Sequence, residues 1–151
     1  MSARDEVQVL VDHFCQEHGF RKKSGSWYRT QDQTIAVLNL QRSQYSHEYY
    51  LNAALWLLDL DEADAPKEHH CHVRTRVNRL VEDTAALMRA LDLERGHDDN
   101  RGAVLIHALT VVDDLLRACA TVEGCLSPPG KAFIDRSLVR REAQELLAGG
   151  S

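Results

Sequence analysis

Residues 69–76 read His-His-Cys-His-Val-Arg-Thr-Arg, placing metal ligands, a thiol and two guanidinium groups side by side. As a β-strand this stretch sends alternate side chains to opposite faces. His70, His72, Arg74 and Arg76 then line one face, with Cys71, Val73 and Thr75 behind them. Zinc wants three or four nitrogen or sulfur ligands in a tetrahedron. Only His70 and His72 converge from this run, and no spacing recruits His13, His18 or His47. A surface histidine cluster is the better reading, with no metal and no cofactor expected.

Covalent and acid–base chemistry find no better footing. The pleat turns Cys71 away from both neighbouring histidines, and a nucleophile needs its base within hydrogen-bond reach. Ser43 lacks a G-x-S-x-G context. The acidic residues of 59–68 read as a solvated linker, and Asp113-Asp114 as the exposed side of a helix. No glycine-rich phosphate loop occurs.

Recognition is the stronger theme. Arg21, Lys22, Lys23, Arg29 and Arg42 have only Asp32 against them between residues 19 and 45, and Arg74 and Arg76 can join them on a sheet. Guanidinium forks hold carboxylates and phosphates with two bonds at once. Trp27, Tyr28, Tyr45, Tyr49 and Tyr50 interleave aromatic surface of the kind interfaces use. The competing reading is a solvated sheet face whose arginines pair with the acidic linker.

The elements that must position these groups show in the periodicity. Ser2 with Asp5 is a helix start, Val7, Leu10, Val11, Phe14 and Cys15 form one apolar stripe, and Gly19 is a stop. The period then changes to that of strands at 26–30, 34–42, 48–60 and 69–76, with short links that predict an antiparallel meander. Both faces of the 48–60 strand are apolar, Leu51, Leu55 and Leu57 on one and Trp56, Leu58 and Leu60 on the other. It is therefore covered on both sides, or covered on one and gripping a partner. Helical spacing returns with Leu80, Thr84, Leu87, Met88 and Leu91. A polar break at 94–102 includes Gly96 and Asn100, and the apolar stretch 103–122 follows. Ser127 and Pro128 open a last helix in which Ile134, Leu138 and Val139 face inward. The prediction is one α+β domain over 1–148: an N-terminal helix, a four-stranded antiparallel sheet, then about three helices packed on it. Residues 149–151 read as a frayed tail.

Composition bounds the function. A chain of 151 residues holds one domain with a sizeable core, and a net charge of −5 disfavours a general nucleic-acid or membrane-surface binder. No apolar run reaches the roughly 18 residues that span a bilayer, and the start Met-Ser-Ala-Arg-Asp-Glu has no signal-peptide core, so a cytoplasmic location is expected. Cys15, Cys71, Cys119 and Cys125 contain no C-x-x-C pair and read as buried reduced thiols, with a Cys119–Cys125 disulfide as the alternative.

Five pieces in order carry a resemblance: Gly19-Phe20-Arg21-Lys22-Lys23, Trp27-Tyr28-Arg29, Asn39-Leu40-Gln41-Arg42-Ser43, Tyr50-Leu51-Asn52, and Cys71-His72-Val73-Arg74-Thr75-Arg76. Over roughly residues 5–95 the chain resembles a bacterial family known only as domain of unknown function 4304. The resemblance implies a small α+β domain, supplies no activity, and marks Arg29, Gln41, Ser43, Asn52, His72, Arg74 and Arg76 as its polar positions. The leading expectation is a non-catalytic binding protein. Its sheet face around Gln41, Asn52, Trp56, Arg74 and Arg76 would hold a protein partner, such as a bacterial toxin. Immunity proteins share this small, acidic α+β profile, an analogy of class alone. The alternative is an enzyme or sensor gripping a nucleotide or phosphoester through Arg29, Arg74 and Arg76. A third reading has these groups simply brace the sheet. The oligomeric state is not legible.

Overall fold

The first helix, α1 (Ala3–Glu17), starts where the Ser2 hydroxyl accepts the Asp5 backbone N–H at 3.2 Å. Val7, Val11, Phe14 and Cys15 form its buried stripe, and Gly19, at φ +83°, turns the chain out of it. The computed structural model describes residues 2–95 and 100–149. Gly96 and residues 150–151 of the expected tail lie outside them, and Gly149 closes the last helix.

Six strands follow in an antiparallel meander ordered as in the sequence: β1 (Arg21–Lys23), β2 (Ser26–Thr30), β3 (Thr34–Arg42), β4 (Tyr49–Leu57), β5 (Val73–Arg76) and β6 (Leu138–Val139). Four were expected. β1 escaped because it is three exposed cations with no alternation. It pairs because Ser24 and Gly25, at φ +52° and +82°, supply the left-handed turn that matches strand twist. β6 escaped because it is two residues long, read as part of a helix.

The backbone at 136–140 closes the far edge of the sheet instead of staying helical. The Arg140 N–H donates to the His72 carbonyl at 2.8 Å, and the Thr75 hydroxyl to the Arg136 carbonyl at 3.0 Å. Leu138, expected inward, is 69% exposed. β4 ends at Leu57, where a turn replaces the last three expected residues, and it lies inside the sheet between β3 and β5.

The other helices are α2 (Thr84–Ala90), α3 (Arg101–Ala118), α4 (Val122–Leu126), α5 (Gly130–Asp135) and α6 (Arg141–Gly149). Five helices among the described residues thus stand where about three were expected. α1 and α3 pack together, and the helices bury Trp27, Leu38, Ala53, Leu55 and Val73 from one sheet face against Val11, Leu105, Leu109, Leu116 and Phe133. On the other face residues 58–72 fold back over one half of the sheet. There Tyr28, Ile35, Val37, Ala54 and Cys71 form a second small core, with Trp56, Leu58, Ala63 and Ala65 at its margin.

One ion pair ties the layers. Arg29 points to the helical side and meets Asp113 of α3 at 2.6 Å. It also donates to the His18 carbonyl at 2.9 Å and lies over the Phe20 ring. Asp113, expected on an exposed helix side, is 3% exposed and accepts from Arg117 as well, at 2.9 Å. Replacing Asp113 by Ala leaves a guanidinium unpaired in the interior, so urea unfolding should show a loss of about 3 kcal/mol. An unchanged midpoint would mean that the pair adds nothing to docking α3 on the sheet.

Candidate functional site

The second sheet face changes character halfway along β3. Ile35 and Val37 lie under the folded-back segment, but Asn39 and Gln41, next on the same face, do not. Register then fixes their neighbours: Ser26 and Asn52 flank Asn39, Tyr50 lies opposite Gln41, Arg76 opposite Asn52, and Arg74 opposite Ala54. An amide chain floors this half. Asn39 donates to the Ser26 hydroxyl at 2.9 Å, and Asn52 to the Asn39 and Gln41 carbonyl oxygens at 3.1 and 3.0 Å. Asn52 is 4% exposed, so the amides hold one another in a shared network while forming the floor of an open groove.

Two depressions make up that groove. One, of about 240 Å³, is lined by Gln41, Asn52, Thr75, Arg76, Arg79 and Leu138. The other, of about 660 Å³, is lined by Ser26, Tyr28, Asn39, Lys67 and His69. Both share Gln41, Glu68 and Arg74. Glu68 receives the Arg74 fork on both oxygens, at 3.1 and 3.3 Å. The Arg76 guanidinium lies 3.7 Å above the Tyr50 ring centre. Arg76 and Arg79 are exposed, and among the described residues neither is ion-paired. The lining therefore holds Lys67, Arg74, Arg76 and Arg79 against the single carboxylate of Glu68.

Of the marked residues, Gln41, Asn52, Arg74 and Arg76 are brought together. Arg29 is on the opposite face, consumed by Asp113. Ser43 is buried and organises the β3–β4 turn, accepting the backbone N–H groups of Tyr45 and Ser46 at 3.2 Å each. Trp56 shares the groove's face but sits at the covered end, its indole N–H on the Asp61 carbonyl at 2.8 Å.

The histidine run is not one extended face. Residues Glu68–His70 make a single 3-10 turn, and pairing begins only at Val73. That turn rotates Cys71 into the second core rather than behind the strand, and leaves His70 exposed while His72 is buried. Burial, with the Glu68 carboxylate nearby, pushes the Cys71 thiol up to about 12, so it stays protonated and unreactive. Burial raises the Cys15 thiol likewise, to about 12. All four cysteines are free and buried, and the alternative disulfide is not formed. Among the described residues no three His, Cys, Asp or Glu side chains are grouped to hold a metal ion. None of the described helices is long and apolar enough to cross a membrane.

Arg21, expected in the basic patch, instead pairs with Asp64 of the acidic linker at 2.9 Å. The competing reading thus holds for Arg21, and for Arg74 with Glu68. Arg79 was not singled out in the sequence, Asn39 appeared only as the first residue of a quoted piece, and Glu68 only within the acidic linker. Arg79 carried no signal: the 3-10 turn Val77–Arg79 that follows Arg76 and brings Arg79 to the groove shows only in the structure. Glu68 carried none, being one acid among several.

Fold and groove together define a two-layer α+β domain with a cationic, amide-floored groove on the uncovered half of its sheet. The chain belongs to the family described as a domain of unknown function (DUF4304), whose model matches residues 11–112. That span contains every groove residue named above except Leu138. No curated protein and no solved structure matches the chain.

His72 gives the site's margin a pH dependence. Its Nδ1 accepts the Leu57 N–H at 2.9 Å and its ring tilts against Trp56 at 4.3 Å, which requires the neutral imidazole. Burial lowers its pKa from the usual 6.5. The unfolded chain takes up the proton first, so stability is held above about pH 6.5 and declines as pH falls below it. Thermal melts between pH 7.5 and 5 should show this decline, flattened in His72→Gln. An equal slope in the variant would reassign it to other groups.

Proposed function

We propose that this domain is a non-catalytic binding protein that holds an acidic segment of a protein partner in the groove. One observation supports the reading above the others. Two exposed arginines, Arg76 and Arg79, without an ion-pair partner among the described residues, stand beside Arg74 over an amide floor, in a chain whose net charge is −5. A local cationic excess against an acidic whole attracts carboxylates at short range while repelling acidic surfaces elsewhere.

Dimensions agree with a chain segment. From β2 to β6 the groove crosses four strand spacings of about 4.8 Å, or about 19 Å, the length of about six extended residues. The amide floor offers hydrogen bonds to a backbone, and Leu138 offers an apolar contact at one end. A small anionic ligand is served less well. Arg29, the third arginine of that alternative, lies on the other face, and the groove is an open channel rather than an enclosing cleft.

A fluorescein-labelled decapeptide of alternating Glu and Gly is a suitable probe. Fluorescence anisotropy should show binding that weakens with added salt and is at least tenfold weaker in Arg76→Ala/Arg79→Ala, whose melting temperature stays that of wild type. Salt-independent binding, or equal affinity in the double variant, refutes the assignment. A melting-temperature rise with a nucleotide or phosphosugar, but none with the peptide, would transfer the site to the small-ligand class.

A further inference from the structure

We propose that Glu68 is a built-in competitor for the groove's central arginine, and that it sets how many acidic groups a partner must present. This inference rests on the groove being the site for an acidic segment. Glu68 occupies the Nε and Nη2 donors of Arg74 with both oxygens, as an Asp or Glu from a partner would. At 3.1 and 3.3 Å these bonds are longer than the roughly 2.7–2.9 Å of a tight charge-assisted pair. Arg74 is also reachable from the groove, its side chain 36% exposed against 9% for Glu68. The pair stands where the two depressions meet, since both are lined by Glu68 and Arg74.

Backbone anchoring makes Glu68 a fixed competitor rather than a passing contact. The turn that carries it is closed by His70 N–H on the Lys67 carbonyl at 2.9 Å and Cys71 N–H on the Glu68 carbonyl at 3.1 Å. Cys71 then wedges that turn into the second core. The turn therefore keeps its place whether or not the carboxylate is on Arg74. A single incoming carboxylate replaces Glu68 on Arg74 and leaves Glu68, 9% exposed, without its cation. A segment with several acids adds contacts to Arg76 and Arg79 that Glu68 cannot make, and those contacts decide the exchange. The groove thus selects segments of closely spaced acids over isolated ones.

The experiment compares the alternating Glu/Gly decapeptide with a decapeptide carrying one Glu, on wild type, E68Q and E68Q/R74A. Wild type should bind only the first. E68Q should bind it at least tenfold tighter and the single-Glu peptide measurably, with both gains lost in E68Q/R74A. Folded E68Q that binds no tighter than wild type overturns the inference while leaving the groove in place. Binding by neither wild type nor E68Q overturns the groove and this inference with it. Should E68Q not fold, the Arg74 Nε–H resonance of wild type gives the answer. It should shift as the decapeptide saturates the groove, and an unmoved resonance at saturation refutes the exchange.

Discussion

Nine consecutive residue pairs between β3 and β4, from Thr34 opposite Leu57 to Arg42 opposite Tyr49, are the constraint on which the rest depends. With that register set, alternation forces Ile35, Val37, Asn39, Gln41, Tyr50, Asn52, Ala54 and Trp56 onto one face. A slip of one residue would send the amides under the helices and the leucines to water. Along the shared face the chemistry changes midway, from Ile35, Val37 and Ala54 to Asn39, Gln41 and Asn52. Residues 58–72 cover the first half because Ala63, Ala65 and Cys71 have apolar surface to bury there. On β3 and β4 the second half presents amides, and the Tyr50 ring there lies beneath Arg76, so it stays open. The border between core and groove is thus written in two strands.

Four arginines show how surroundings divide one residue type into different roles. Arg29 has an aspartate, a backbone carbonyl and Gln31 around its fork, with a phenylalanine ring beneath. Arg101 is fully buried and donates to the Ala90 carbonyl at 2.8 Å, in reach of Glu6. Buried charges of this kind are tolerated only when they are met; Arg29 ties the sheet to α3, and Arg101 ties α3 to α2 and α1. Arg76 differs: it has a tyrosine ring beneath it and water above. Arg74 stands between the two cases, because its partner is local and its side chain remains reachable.

Much of this arrangement was legible in the sequence. The cap at Ser2, the stripe of α1, and the limits of β2 and β3 follow from local pattern. The face that Gln41, Asn52, Trp56, Arg74 and Arg76 share needed the register between strands, which the sequence does not give. What was not legible needed distant partners. Arg29 and Arg74 look alike in a strand until it is known which face the helices cover. Residues Leu138 and Val139 look helical until the β5 edge claims their backbone. The buried Asp113 resembles any polar helix residue until Arg29, 84 positions away, is placed against it. The 3-10 turn at Glu68–His70 broke the alternation on which the histidine run was read, and it also delivered the acid that meets Arg74.

Charge alone does not settle how firmly such a groove can hold a partner. Exposed ion pairs are each worth about 0–1 kcal/mol, so two or three guanidinium contacts give selectivity more readily than affinity. Salt screens them over about 8 Å, which confines their reach to the groove and hides the acidic remainder of the molecule from a bound segment. Affinity has to come from surface that water leaves. Leu138 stands 69% exposed beside Arg74, at the groove's end, and covering it is worth about 1–2 kcal/mol. The Tyr50 ring lies beneath Arg76, outside the lining of both depressions, so Leu138 is the apolar side chain left to cover. On the proposed function, a segment that combines neighbouring acids with one apolar side chain would therefore satisfy the groove better than a purely anionic one. Leu138 of β6, outside the matched family span, thus gives the groove its apolar end, while Val139 packs on the main core.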